Sequence, residues 1–227
     1  MIDVALPLPN RVEAGAMLAE RLAAYADRPD VIVLALPRGG VPVGYAIAER
    51  LHVDLDVIVV RKLGVPSHVE LAMGAVASGG LRVLNRDIVA LARVDDATID
   101  KVVRAELSEI ARREARYRRG APAPAPPLRG RTAILVDDGL ATGSTMMVAV
   151  QAVRREHPQR IVVAVPVAAA DSCDELAGLV DEMICLHTPE PFRAVSVWYE
   201  QFDQTSDDEV IDLLRRASAH HAALDRQ

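Results

Sequence analysis

Five short apolar runs, interspersed with segments of helical spacing, constrain this chain most. The runs cover residues 30–36, 54–60, 132–136, 160–167 and 182–186. They are continuous and rich in Val and Ile rather than alternating with polar residues. That is the pattern of strands buried on both faces, as in a parallel sheet. Between and around them, residues 13–25, 41–51, 86–92, 96–118, 144–156 and 172–180 carry apolar side chains at helical spacing. In the first of these the apolar positions are Met17, Leu18, Leu22 and Tyr25. Alternating strands and helices predict an α/β, doubly wound, mostly parallel sheet of about five strands flanked by helices. Such sheets bind ligands at the carboxyl ends of their strands. Residues 63–80 are rich in Gly and small side chains and are expected to include a mobile loop. Residues 81–84 are expected to form a short strand paired with residues 74–77.

A chain of 227 residues suits one domain, expected over 1–227. The Pro/Ala connector at 120–128 lies within that domain, because the strand pattern resumes directly after it. An extended spacer and a docking segment for a Pro-binding partner are both open readings of it. The formal charge of −6 gives no reason to expect a nucleic-acid partner. Cys173 and Cys185 show no metal-type spacing and read as ordinary thiols. The first eleven residues lack the basic start and long apolar run of a signal peptide. No stretch reaches the ~20 apolar residues of a membrane span. The expectation is a soluble, cytoplasmic protein with no membrane partner. The many Arg and Glu residues in 96–118 read as a solvated helix face with ion pairs.

Chemistry concentrates in residues 136–145, Val-Asp-Asp-Gly-Leu-Ala-Thr-Gly-Ser-Thr. Two acids come directly off an apolar strand, and a Gly/Thr/Ser turn leads into a helix. Neighbouring carboxylates accept hydrogen bonds from the vicinal hydroxyls of a ribose. The turn and helix start offer N–H groups and hydroxyls to a phosphate. Gly139 and Gly143 permit close backbone approach. The competing reading is structural: Thr142 or Ser144 caps the helix and the acids favour its dipole. That reading leaves two adjacent acids at the end of an apolar strand unexplained.

This segment resembles the 5-phosphoribosyl-1-pyrophosphate (PRPP) signature of type I phosphoribosyltransferases. The resemblance runs from about residue 11 to about 215. It also covers Pro-Arg-Gly-Gly at 37–40, Arg-Lys-Leu-Gly at 61–64, Glu-Leu-Ala-Met-Gly-Ala at 70–75 and a Trp-Tyr-x-x-Phe segment at 198–202. It implies a phosphoribosyl transfer from PRPP to a nitrogenous, nucleobase-like acceptor, with pyrophosphate released and Mg2+ as cofactor. It implies that Asp137 and Asp138 hold the ribose hydroxyls and the metal, directly or through water. Gly139, Ala141, Thr142, Gly143, Ser144 and Thr145 would hold the 5-phosphate, and Arg38, Gly39 and Gly40 the pyrophosphate. In relatives this last loop often carries an unusual cis peptide. Arg61 and Lys62 would neutralise leaving pyrophosphate, and Glu70 would face the base. A homodimer is usual in the family.

The acceptor pocket is expected from a hood made of residues 188–202 plus N-terminal residues. Phe192 fits an aromatic that stacks on the base, with Trp198 and Tyr199 as alternatives; a hydrophobic plug is the competing reading. Enzymes for 6-oxopurines place an aspartate three residues after the second acid. Here Ala141 stands at that position, which argues against a hypoxanthine–guanine acceptor. The second functional reading is a non-catalytic PRPP- or nucleotide-binding regulator of the same fold. No helix-turn-helix pattern or strongly basic stretch supports a DNA-binding version of it. A kinase-like PRPP synthase would need an ATP-binding section that this sequence lacks.

Overall fold

Helix α1 (Arg11–Arg21) opens the chain and leads through a short 3-10 turn to strand β1 (Val31–Ala35). Helix α2 (Gly40–Leu51) and strand β2 (Asp54–Val57) follow. Three strands come next, β3 (Val60–Val65), β4 (His68–Ala77) and β5 (Arg82–Leu84), then α3 (Arg86–Leu91) and α4 (Asp96–Tyr117). The chain continues with β6 (Thr132–Val136), α5 (Ser144–Arg155), β7 (Arg160–Val167), α6 (Ala170–Ala177) and β8 (Glu182–His187). Helix α7 (Asp207–Leu224) comes last. The computed structural model describes residues 6–66, 68–119 and 127–224. Residues 120–126 of the Pro/Ala connector therefore lie outside the described residues.

Five strands form a parallel sheet in the order β2-β1-β6-β7-β8. Alternate side chains serve opposite faces. Ile32, Leu34, Leu135 and Val163 pack with Met146 and Ala149 of α5. Val31, Val33, Ile134 and Val162 pack with Leu18 of α1 and Ile47 of α2. Both faces are covered, so the strands read as continuous apolar runs. The predicted fold class is the one observed.

β3, β4 and β5 form a separate antiparallel sheet. Two expectations change here. The run at 54–60 does not continue as one strand. Val57 pairs with Ala35, the last residue of β1, so the next residues have no neighbouring strand to extend along. Ile58 still donates to the Ala35 carbonyl, and Val59 then turns to the Ser78 hydroxyl. The loop expected within 63–80 is instead largely the β3–β4 hairpin, with an irregular register around Gly64. Small residues and glycines hide its alternation. The expected pairing of 81–84 with 74–77 is present, with Ala75 opposite Val83. This sheet packs with α4 and α7 around Leu63, Met73, Ile110 and Tyr117.

Helix starts explain most remaining boundaries. Asn10 caps α1 by accepting from the Glu13 N–H, Asn85 caps α3, and Asp95 caps α4. The charged face of α4 carries ion pairs, with Glu109 held by Arg112 and Arg113. Residues 6–9 lie beside the C-terminal segment: Leu8 donates to the Trp198 carbonyl and accepts from the Glu200 N–H, both at 2.8 Å.

Candidate functional site

β1 and β6 are neighbours in register from Val31↔Thr132 to Ala35↔Val136, so they end at the same level. The loops that follow them are therefore pressed together. Leu36 donates to the Val136 carbonyl at 2.9 Å. Gly39 sits so close to the acid pair that a Cβ there would lie 2.0 Å from Asp138 Oδ2. No residue other than glycine fits that approach. Gly40 lies over the Val136 carbonyl in the same way. The peptide between Pro37 and Arg38 is cis. On the other side, Leu140 and Ala168 form a bridge to the end of β7.

Asp137 and Asp138 are recessed beneath these loops. One oxygen of each is used within the protein. Asp137 Oδ1 accepts from the Asp138 N–H at 2.8 Å, and Asp138 Oδ2 accepts from Arg11 Nε at 2.8 Å. The remaining oxygens, Asp137 Oδ2 and Asp138 Oδ1, have no hydrogen-bond partner among the described residues. Burial pushes both carboxyls above the usual carboxylate range. The neighbouring Asp138 charge raises Asp137 further, well above its ordinary value, while the Arg11 guanidinium opposes the rise at Asp138. The Tyr199 hydroxyl donates to the Asp138 carbonyl at 2.6 Å and fixes the backbone below the pair.

A few residues on, the turn enters α5. Gly143 is its N-cap, at φ 64°, a left-handed conformation that favours glycine. Unlike α1, α3 and α4, α5 has no side-chain cap. Thr142 Oγ1 and Ser144 Oγ bond to each other at 3.1 Å rather than to the helix start. This overturns the helix-cap reading of these two hydroxyls. The first N–H groups of α5 remain available, with the dipole favouring an anion. Ser172, at the start of α6, donates to the Ala141 carbonyl at 2.8 Å and braces the turn. Beside it, a cavity of about 290 Å³ is lined by Ser144 and Thr145 and by Lys62, Ala75, Leu84 and Asn85 of the second sheet and the turn after it.

Residues 6–200 match the model of the phosphoribosyl transferase domain. The chain belongs to the phosphoribosyl transferase family. Two relatives named as candidate phosphoribosyl transferases, from Mycobacterium tuberculosis strains CDC 1551 and H37Rv, are each 49% identical over 208 residues. Those residues make up 92% of this chain and 46% of each relative, so the chain spans about half the length of these proteins. The crystal structure of TT1426 from Thermus thermophilus superposes with a TM-score of 0.79 at 39% identity. That likeness covers 93% of this chain and 99% of TT1426.

Within this phosphoribosyl transferase fold, the candidate residues do not all gather at one point. Asp137, Asp138, Gly39, Gly40 and the 139–145 turn are contiguous. Arg38, on the loop beside them, points to Asp207 at 3.8 Å, where Arg116 and the Tyr117 hydroxyl also bind. Arg61 and Lys62 separate. Lys62 lines the cavity at the start of α5, whereas Arg61 Nε bonds Glu106 of α4 at 2.7 Å. Adjacent strand residues face opposite ways, so a consecutive pair cannot serve one site from a regular strand. Glu70 falls in β4, and its side chain lies outside the described residues.

Phe192 and Trp198 are half-buried, their rings 6.3 Å apart between centroids. Tyr199 differs: it is 6% exposed, its ring packs on Phe202, and its hydroxyl is committed to Asp138. Val195 and Val167 press on Gly139, joining this segment to the acid turn. Two site residues escaped the sequence reading. Arg11 looks like an ordinary residue of a helix start, and Ser172 sits about thirty positions beyond the turn it braces. Neither carries a local signal.

Proposed function

We propose that this protein transfers the 5-phosphoribosyl group of PRPP to a nitrogenous, nucleobase-like acceptor and releases pyrophosphate. One observation carries the reading: two recessed carboxylates, each with one unpartnered oxygen, stand a single turn from an uncapped helix start. That spacing suits a ribose whose hydroxyls bond the acids while its 5-phosphate meets the helix. Thr142, Ser144 and Thr145 add hydroxyl donors to the phosphate. Lys62, across the cavity from Ser144 and Thr145, adds a cation.

The reaction forms a bond from the acceptor nitrogen to the anomeric carbon and breaks the bond from that carbon to pyrophosphate. The protein's part is to orient the ribose and to stabilise the charge that builds on the leaving group. The Gly39–Gly40 loop lies directly over the acids, in reach of a diphosphate on the anomeric carbon. Arg38 would exchange its long contact to Asp207 for that diphosphate. The unpartnered carboxylate oxygens are hard donors that fit Mg2+. Among the described residues no group of three or more His, Cys, Asp or Glu side chains could hold a metal by itself. Asp137 and Asp138 would therefore share the ion with substrate oxygens. Bound there, Mg2+ would neutralise charge on the pyrophosphate.

Phe192 and Trp198 lie on the segment whose Val195 packs on Gly139, and their rings suit stacking on a flat heterocycle. Ala141 brings no acid to the turn, so the acceptor is read as other than a 6-oxopurine. The test is Mg2+-dependent PRPP consumption against a panel of purines, pyrimidines and related heterocycles, with products detected by mass. Nucleotide product is expected, and it should vanish in Asp137→Asn/Asp138→Asn. Unchanged turnover in that double variant would remove the ribose assignment. PRPP binding with no product from any acceptor would instead favour a non-catalytic regulator.

A further inference from the structure

We propose that Arg11 is a positioning residue: its guanidinium clamps one oxygen of Asp138 and ties that carboxylate to the 195–203 segment. The proposal rests on reading Asp137 and Asp138 as the ribose-binding acids.

Three contacts define the clamp. Nε donates to Asp138 Oδ2 at 2.8 Å, and Nη1 donates to the Asp203 carbonyl at 2.7 Å. The guanidinium plane also lies over the Phe202 ring, 3.8 Å from its centroid. A planar fork makes these contacts together; a lysine could not. The Arg11 side chain keeps 11% of its surface exposed, so solvent screens its charge weakly. Gly39 closes the other side of Asp138 Oδ2. That oxygen is enclosed, and Oδ1 is left for a ligand.

Asp137 stands next to Asp138 on the same turn, and the Tyr199 hydroxyl reaches the Asp138 carbonyl. With Oδ2 held by Arg11 and closed in by Gly39, the Asp138 carboxylate has one direction, and that direction aims Oδ1 at a ligand. Through Phe202 and Asp203 the same side chain joins the acid to the segment that carries Trp198. A ligand seated there would be felt at Asp138 through one side chain.

Arg11→Gln and Arg11→Lys in the full chain test this. The first readout needs no ligand: the NMR signal of the Arg11 Nε–H, assigned through Arg11→Lys, is expected to shift and to exchange faster with solvent in Asp138→Ala. The second is calorimetric binding of PRPP with Mg2+. Arg11→Gln should weaken it about ten-fold or more, and Arg11→Lys should restore only part of the affinity. An Arg11 Nε–H signal unmoved in folded Asp138→Ala, or wild-type PRPP affinity in folded Arg11→Gln, would overturn the proposal. If Arg11→Gln does not fold, wild-type PRPP affinity in Arg11→Lys would overturn it. Should wild type itself fail to bind PRPP, the ribose reading falls, while the Nε–H signal still decides whether Arg11 clamps Asp138.

Discussion

The hydroxyl of Tyr199 donates to the backbone carbonyl of Asp138 across 61 residues of chain, at 2.6 Å. An aromatic residue from the C-terminal segment therefore supports the acid turn itself. Tyr199→Phe removes the donor and leaves a part-buried carbonyl without its partner. The expected cost is about 1–3 kcal/mol in urea unfolding. PRPP affinity should fall with it, because the turn that aims the acids loses its brace. Unchanged stability would mean that water replaces the hydroxyl.

Gly39→Ala is expected to damage binding more than folding. Its methyl would lie 2.0 Å from Asp138 Oδ2, so either the loop or the carboxylate must move. Calorimetry should show PRPP affinity reduced at least about ten-fold, with a melting temperature lowered by only a few degrees. Wild-type affinity would mean that the loop relaxes away at no functional cost.

Asp137 makes stability depend on pH with a definite sign. Its folded carboxyl titrates well above the ordinary value of 3.8, because burial and the Asp138 charge favour the neutral form. Folding thus favours the protonated group. Its contribution is fully present below the ordinary value and is lost as pH rises towards the raised one. Asp137→Asn should therefore raise the melting temperature of the ligand-free protein at pH 7–8, with the gain fading towards about pH 4. The same variant should lose PRPP binding. A melting curve with no pH-dependent difference from wild type would contradict this assignment.

Lys62 and Arg61 should separate in mutagenesis although they are consecutive. Lys62→Ala removes the cation facing the start of α5 and should lower kcat/KM by about 100-fold. Arg61→Ala breaks a half-exposed pair with Glu106 and should cost about 0.2–1 kcal/mol of stability, with turnover nearly unchanged. Steady-state kinetics and denaturation on both variants check the split.

Much of the architecture was legible because its cause is local. Strands covered on both faces must be apolar throughout, so β1, β6, β7 and β8 stood out near their true boundaries. The second sheet did not, because Gly64, Gly74 and several alanines blur its alternation. The end of β2 was invisible for another reason: it is set by where its neighbour β1 stops, and no residue within 54–60 records that.

The same division runs through the candidate site. The acid pair, the glycine turn and the start of α5 could be read directly from the residues, since consecutive positions build them and one backbone path orients them. Their partners could not. Folding chose Arg11 as the partner of Asp138, put Tyr199 beneath the turn, braced Ala141 with Ser172 and sent Arg61 and Lys62 to opposite faces. Those partners come from distant segments whose meeting depends on how helices and strands pack, and packing leaves no mark in the short spacings of a sequence.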